Sequence, residues 1–188
     1  MSISMRMYER NTKLNFKCHN GACPPLEGAG GGKTYICTMK IIWSCKYFED
    51  LSAKELYDIF HLRLAVFVVE QNCPYQDADG KDFKSLHVMG MQSGELAAYA
   101  RIVLPGVSYK EVSIGRVVTS QKARRSGAGK MLMKRTMELI EKKFGKVPIR
   151  IGAQLYLQKF YEGFGFVREG TEYPEDGIPH IIMLLTPR

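Results

Sequence analysis

The chain has 188 residues, of which 45% are hydrophobic and 24% charged, proportions typical of one medium-sized globular domain. A domain of this length buries a sizeable core, which argues against a disulfide scaffold, and no apolar run approaches the roughly 18 residues of a membrane span. The 27 Lys and Arg exceed the 19 Asp and Glu, giving a net charge of +8. This balance suits nucleic acid and a cosubstrate with several phosphates equally well.

The five cysteines are an odd number in a chain that shows no signal-peptide pattern. We therefore expect reduced thiols in a soluble, cytoplasmic protein.

Residues 1–38 lack helical or strand periodicity and contain a run of Pro and Gly at 23–32. We expect a disordered or wrongly assigned leader, with the catalytic domain in residues 39–188. The run GAGGGKT at 28–34 resembles a phosphate loop, but Glu27 stands where that motif needs a glycine. The spacing of Cys18, His19, Cys23 and Cys37 matches no zinc motif, so we expect no metal site.

The first half of the domain begins with a strand at Ile41. Ser52 and Glu55 form a capping box at a helix start, and apolar residues then recur at helical spacing to about Val69: Leu56, Ile59, Phe60, Leu64 and Phe67. After a polar loop come two strands that we expect to form a hairpin, so the predicted segments are a loop at 71–82 and strands at 86–91 and 95–104.

The second half alternates strands with helices. The predicted elements are a strand at 111–118, a helix from about Gly127 to Phe144, a strand at 147–152, a short helix at 155–161, a strand near Phe166 and a strand at 180–185. This order predicts an α/β chain of the α+β type, with a single mixed, mostly antiparallel central sheet flanked by helices.

The junction before the second long helix has the chemistry of an anion site. Gly127 and Gly129 let several backbone N–H groups point outward at a helix start, where the helix dipole favours an anion. Arg124 and Arg125 add charged donors beside them. The pattern predicts a pyrophosphate site rather than a duplex nucleic-acid site.

Two motifs resemble the GCN5-related N-acetyltransferase (GNAT) superfamily. Arg124-x-x-Gly127-x-Gly129 is similar to its acetyl-CoA pyrophosphate signature, Q/R-x-x-G-x-G/A, and the run FYEGFGF at 160–166 is similar to its second signature. Further segments resemble its ElaA-like branch: VFVVEQNCPYQ at 66–76, DGKD at 79–82, IGRVV at 114–118, Ala153-Gln154 and EDGIPH at 175–180. The resemblance covers about residues 40–187.

The resemblance implies the GNAT acyl-CoA N-acyltransferase fold and direct transfer of an acetyl group from acetyl-CoA to an amine, with no protein nucleophile and no metal. The strand end at Val117 and Val118 would hold the pantetheine and polarise the thioester carbonyl. The implied cofactor-binding residues are Val117, Val118, Arg124, Arg125, Ser126, Gly127, Ala128, Gly129, Gln154 and Tyr161. Gln154 departs from the family, because many members carry Asn there.

By the same resemblance, Tyr161 is the expected general acid for the departing thiolate, since a phenol can protonate a thiolate. For the general base we favour Glu70, which ends the first helix, and a chain of waters is the alternative. Glu111 is a further candidate. His87 and His180 have suitable chemistry, but each lies in an apolar strand context that is typical of a structural histidine.

Other polar residues allow two interpretations. Arg116, in an otherwise apolar strand, either pairs with a carboxylate or reaches into the acceptor cleft. Acidic residues in two loops either attract a cationic amine or are ordinary solvated loop residues: Asp77, Asp79, Asp82, Glu175 and Asp176. Cys73 could be a nucleophile, but the sequence places no base beside it.

The predicted function is that of an acetyl-CoA-dependent N-acetyltransferase acting on a small-molecule or peptide amine. The alternatives are a related acyltransferase such as an acyl-homoserine lactone synthase, and a non-catalytic module that binds CoA or nucleic acid. We expect neither a nucleic-acid nor a membrane partner. The sequence leaves a homodimer open and does not identify the acceptor.

Overall fold

The structure is a computed structural model that describes residues 40–187. Its regular elements are β1 Ile42–Tyr47, α1 Ala53–Arg63, β2 Ser85–Gln92, β3 Glu95–Val103, β4 Val112–Thr119, α2 Ala128–Phe144, β5 Ile149–Gln154, α3 Gln158–Glu162, β6 Val167–Glu175 and β7 Ile178–Leu185. The strands form one sheet in the order β1-β2-β3-β4-β5-β7-β6. All neighbouring strands are antiparallel except β4 and β5, which confirms the predicted mixed sheet.

The expectations about the leader cannot be followed into the structure. The run at 28–34 and the residues Cys18, His19, Cys23 and Cys37 lie outside the described residues. Within residues 40–187, no helix is long and apolar enough to cross a membrane, and no group of three or more His, Cys, Asp and Glu is arranged to hold a metal ion.

The capping box at the start of α1 is confirmed. Ser52 Oγ accepts a hydrogen bond from the Glu55 backbone N–H at 3.2 Å, and the Glu55 carboxylate accepts one from the Ser52 N–H at 2.9 Å. Beyond Arg63 the helix widens into a π-helical segment, Leu64–Glu70. Backbone hydrogen bonds that span five residues, such as Gln71 N–H to the Val66 carbonyl at 3.1 Å, mark this widening, which is frequent at functional sites.

The helices cover the two faces of the sheet. Side chains of α1, among them Ile59 and Leu62, pack on one face against Tyr99 and Val118. Leu132 and Met133 of α2 and Tyr161 of α3 belong to a second cluster, which includes Ala98, Ala100 and Ile102 of β3. Tyr99 thus contacts the opposite face from its two neighbours, as the two-residue period of a strand requires.

The sheet splits between β4 and β5. Only two residue pairs join these strands, Val112 with Ile149 and Ser113 with Arg150, and beyond them the strands separate. A bulge lies on β4 in the same region, because two steps along β3 (Tyr99 to Arg101) match three steps along β4 (Val118 to Gly115). Arg116, inside the bulge, has a φ of 53°, a region that few side-chain-bearing residues adopt. The split and the bulge open a cleft at the carboxyl end of β4.

The predicted elements differ from the observed ones mainly at the end of the chain. The strand expected near Phe166 is β6, which begins at Val167 and extends over nine residues. The short helix expected at 155–161 is divided into a 3-10 turn at Leu155–Leu157 and α3. The strand expected at 147–152 is β5, displaced by two residues.

Candidate functional site

A cavity of about 130 Å³ lies in the cleft between β4 and β5. Its walls come from β4, β5, α3, the π-helical segment with the loop that follows it, and the turn between β6 and β7. The lining includes Phe67, Gln71, Cys73, Tyr75, Arg116, Val117, Gln154, Tyr161, Glu175, Asp176 and His180. Elements that are distant in the sequence therefore meet around one small space.

Tyr161 reaches the cavity from α3 and is 6% exposed. Its ring packs edge-on against Phe160 and Phe166, with ring centroids 5.1 and 6.1 Å away. Burial raises the pKa of Tyr161, because the phenolate would lose its hydration. The hydroxyl is therefore protonated at neutral pH, as a proton donor must be.

Gln154 lies at the end of β5 and is held by Gln71. The two side-chain amides exchange hydrogen bonds, Gln154 Nε2 to Gln71 Oε1 at 3.0 Å and Gln71 Nε2 to Gln154 Oε1 at 3.4 Å. Both residues line the cavity. Gln71 was not predicted as a site residue, because its role depends on a partner 83 positions away.

Val117 and Val118, the two valines predicted at the end of the strand, lie in different surroundings. Val117 lines the cavity, whereas the Val118 side chain is buried on the α1 side of the sheet. Val118 pairs with Tyr99 across the bulge. The bulge interrupts the regular β3–β4 ladder beside the cavity, which leaves backbone groups there for other partners.

The start of α2 has the geometry of an anion site. Arg125 and Gly127 have φ angles of 62° and 87° and flank Ser126. A left-handed residue between helical ones turns successive N–H groups toward one concavity. Gly127 is the residue before Ala128, the first of α2, and it has no side chain with which to cap the first amides. These N–H groups and the helix dipole fit a pyrophosphate.

Gly129 lies in the first turn of α2. A Cβ added there would meet its nearest neighbours, Phe160 and Thr119, at 3.9 Å. The protein itself therefore does not require a glycine at this position, which is consistent with a residue kept small for a ligand that approaches the backbone.

Arg124 is bound by Glu70 in a bidentate ion pair. Arg124 Nη1 lies 2.6 Å from Glu70 Oε1, and Arg124 Nη2 lies 2.8 Å from Glu70 Oε2. The hydrogen bonds and charge of Arg124 lower the pKa of Glu70. Glu70 does not line the cavity that Tyr161 lines. The structure thus brings Glu70 to the predicted pyrophosphate loop, and its role as general base stays a prediction.

The loop carboxylates Asp77, Asp79 and Asp82 do not form a free acidic patch. Arg63 lies 2.8 Å from Asp77 and 2.8 Å from Asp82, and Arg101 lies 2.7 Å from Asp79 and 3.0 Å from Asp82. Three arginines and three aspartates, including Arg116 at 2.8 Å from Asp77, balance one another. Both interpretations are therefore wrong for these residues: their charges are neutralised and do not attract a cationic acceptor, and Asp77 and Asp82 are buried rather than solvated.

Arg116 both pairs with a carboxylate and reaches the cleft, so the two interpretations offered for it hold together. It pairs with Asp77 and stacks over the Tyr75 ring at 5.5 Å, and it also lines the cavity. Cys73 lines the cavity too, with its thiol donating a hydrogen bond to the Asp176 carbonyl at 3.2 Å.

The two histidines occupy different settings. His87 is fully buried between the Tyr99 hydroxyl at 2.9 Å and the Asp82 carbonyl at 3.1 Å, and burial lowers its pKa. It is the structural histidine that its context predicts. His180 is half-buried on β7 and lines the cavity.

A family model described as "Acetyltransferase (GNAT) domain" matches residues 53–187. The chain belongs to the GNAT acetyltransferase family. ElaA of Escherichia coli K12 is 45% identical to this GNAT protein over 145 residues, which cover 76% of this chain and 95% of ElaA. The predicted resemblance to the ElaA-like branch is thereby confirmed.

Solved structures agree with this assignment. An acyl-CoA N-acyltransferase from Pseudomonas aeruginosa has a TM-score of 0.74 and 44% identity, over 77% of this chain and 99% of that one. Escherichia coli ElaA has a TM-score of 0.72 and 44% identity, over 77% and 98%. The CoA-dependent acyl-homoserine lactone synthase BjaI has a TM-score of 0.66 at 13% identity, over 79% and 84%, which shows a shared fold alone.

Within this GNAT fold, the predicted site residues fall into two groups. Val117, Gln154 and Tyr161 meet at the cavity. The stretch from Arg124 to Gly129 lies in the loop and first turn that lead into α2. The carboxyl end of β4 lies between these two groups of residues. A ligand with a long arm between its phosphates and its reactive end needs two such sites joined by one strand end.

Proposed function

We propose that this GNAT protein transfers the acetyl group of acetyl-CoA directly to an amine of a small molecule or peptide. The observation that carries the proposal is the position of Tyr161, which lines the cavity at the split between β4 and β5. The anion site at the start of α2 follows the same strand. These positions support a proton donor at the cavity and a phosphate site at the helix start that follows β4.

The cosubstrate site is proposed to use two kinds of contact. Backbone N–H groups from Arg125 to Gly129 would hold the pyrophosphate, and the Arg124 guanidinium would add charge. The backbone at Val117 and Val118 and the Gln154 amide would hold the pantetheine. When bound, acetyl-CoA supplies the acetyl group and the thiolate leaving group.

The protein's chemical task is to manage protons. A primary amine has a pKa near 10.4, so it arrives protonated and must lose a proton before its lone pair can attack. The departing thiolate must gain a proton, which the Tyr161 hydroxyl would donate. Apolar walls such as the half-buried Phe67 and Val117 would limit water around the reacting groups.

The proposal is tested by an assay of CoA release, detected as free thiol, across amino acids, polyamines, aminoglycosides and peptides. At least one amine should support turnover, with acetylation of that amine confirmed by mass spectrometry. Replacing Tyr161 by Phe should lower kcat about 100-fold, because a general acid contributes about that factor or more. Tyr57→Phe, at an exposed tyrosine of α1, is the matched control with unchanged turnover.

Two outcomes would contradict the proposal. If no amine supports release of CoA, the acetyltransferase activity itself is refuted. If Tyr161→Phe turns over as fast as the wild type at every pH, Tyr161 has no part in the reaction.

A further inference from the structure

We propose that His180 is the general base that takes a proton from the acceptor amine. The inference rests on the proposed acetyltransferase function and supplies the group that function lacks. His180 pairs with Gln154 of β5 on one side and with Tyr173 of β6 on the other. It lines the same cavity as Tyr161.

The hydrogen bonding of the ring determines which nitrogen is free. His180 Nδ1 lies 2.8 Å from the Ile178 carbonyl oxygen. A carbonyl oxygen can only accept, so Nδ1 carries a hydrogen and donates it. In the neutral ring, Nε2 then holds an unprotonated lone pair, which is the form a base requires. The Tyr173 ring, 5.9 Å away between centroids, packs beside the imidazole.

The cavity is small enough to bring this base near the reacting groups. A volume of about 130 Å³ is well above the roughly 10 to 15 Å³ that a single water needs, so an amine group and a bridging water both fit. His180 and Tyr161 both line this one space. An amine there lies within direct or one-water reach of a wall residue, which is the distance that proton transfer needs.

Other polar groups around the cavity are less suited to accept the proton. Burial raises the pKa of Tyr161 and of Tyr75, so both phenols are protonated. The Cys73 thiol is a hydrogen-bond donor to the Asp176 carbonyl. Arg116 is a cation paired with Asp77. Glu175 and Asp176 of the β6–β7 turn are exposed residues, and the Glu175 carboxylate already accepts a hydrogen bond from the Tyr173 hydroxyl at 3.3 Å.

The proton balance of the transfer is complete with these groups. His180 Nε2 takes one proton from the ammonium form of the acceptor and later releases it to solvent. The amine nitrogen forms a bond to the acetyl carbon, and the carbon–sulfur bond breaks. Tyr161 gives its proton to the sulfur and regains one from the nitrogen of the new amide. The products are the acetylated amine, CoA and one proton.

The test compares kcat/KM between pH 6 and 10 for the wild type, His180→Asn and His180→Gln, with the fastest amine from the panel as acceptor. Both amides can donate a hydrogen bond but neither is a base. We expect a loss of about 100-fold near neutral pH. This loss of kcat/KM should become smaller as the pH rises toward the pKa of the amine, because more of the amine then arrives deprotonated. Added imidazole should restore part of the rate.

His61→Asn is the matched control, since His61 is exposed on α1 and stacks on Tyr57. It should leave the profile unchanged. Wild-type pH dependence and rate in both His180 variants would overturn the assignment while leaving the acetyltransferase function intact. The assignment would also be overturned if the pH dependence of kcat/KM disappeared in Glu70→Gln and persisted in the His180 variants. A wild type inactive with every amine would refute the function and the assignment together.

Discussion

Glu70 and Arg124 form the contact that joins the π-helical segment to the predicted pyrophosphate loop. Glu70 ends the π-helical segment that carries Phe67 into the cavity, and Arg124 belongs to the loop before α2. Two hydrogen bonds fix the plane of the guanidinium. Such a restraint limits the freedom that a long side chain would otherwise lose on binding a phosphate.

Replacing Glu70 by Gln should therefore weaken CoA binding about five-fold, as measured by calorimetric titration. Removing the carboxylate also removes a like charge from the anion site. The loss of restraint on the Arg124 side chain should outweigh the relief of this repulsion. An Arg side chain carries about 2 kcal/mol of rotamer entropy, whereas a partly exposed charge pair is worth about 1 kcal/mol or less.

The control is Glu95→Gln, which breaks the 2.8 Å ion pair with Lys122 in the same loop and should leave the Kd unchanged. In an Arg124→Gln background, Glu70→Gln should have no further effect, because the two residues act as one unit. Equal or tighter CoA binding by Glu70→Gln alone would show that the ion pair does not prepare the site.

Candidate site residues could be predicted from the sequence where they belong to a local motif. Tyr161 and the Arg124–Gly129 stretch carry their signatures within a few positions. The partners of Gln154 and His180 could not be predicted, because Gln71 is 83 positions from Gln154 and the cavity exists only after β4 and β5 separate. Arg101 inside an apolar strand was an available signal for a buried ion pair.

At the scale of elements, the charged network holds the loop between the π-helical segment and β2 on the sheet. The Asp77 carboxylate accepts hydrogen bonds from Arg116 in the β4 bulge and from Tyr75 in the loop itself, and it forms an ion pair with Arg63 of α1. Arg63 also donates a hydrogen bond to the Asp77 backbone carbonyl. The loop supplies Cys73 and Tyr75 to the cavity wall. The network therefore fixes the cavity wall relative to the strand that would hold the thioester.

Asp77→Asn should lower the free energy of unfolding by about 3 kcal/mol in urea titrations, because it removes one of the two carboxylates that neutralise the buried Arg63 and leaves Asp82 alone to balance it. Asp77 is 2% exposed. Asp58→Asn, which breaks the 2.6 Å pair with exposed Lys54, should change stability by about 0.5 kcal/mol or less. Equal effects of the two variants would mean that the network adds nothing beyond a surface ion pair.

The network also predicts how stability depends on pH. Burial acts to raise the pKa of Asp79 and Asp82, but hydrogen bonds and charges from Arg101 and Arg63 outweigh it and hold both pKa values below the usual range. A carboxyl with a depressed folded pKa stabilises the protein above its unfolded pKa, about 3.9. That stability is lost as the pH falls further toward the folded value.

Urea titrations at several pH values should thus show a steep loss of stability below about pH 4. The Asp79→Asn variant should be less stable at neutral pH and should lose stability less steeply in acid. A variant with the wild-type slope would exclude Asp79 as a source of the acid sensitivity.

Most strands and both long helices follow from periodicity and caps, whereas β6 does not. Its sequence, VREGTEYPE, has no apolar alternation, and most of its residues are exposed. β6 is an edge strand, bonded to β7 on one side only, so burial did not shape its pattern. The change from α-helix to π-helix after Arg63 also leaves no mark in the apolar spacing.

At the scale of the whole molecule, net charge is a weak guide to the partner. Residues 1–38 carry five Lys or Arg and two Glu, so +3 of the +8 lies in this leader. Within the remainder, three arginines are neutralised in the buried network. The family assignment and the cleft point to a phosphate-bearing cosubstrate rather than to nucleic acid.

The central claim is tested most directly by thermal unfolding with acetyl-CoA and, separately, with duplex DNA. A ligand at 100 times its Kd adds about 2.7 kcal/mol of stability, so acetyl-CoA should raise the Tm by about 5 to 10 °C. DNA should leave it unchanged at physiological salt. A Tm that rises with DNA and not with acetyl-CoA would contradict the account.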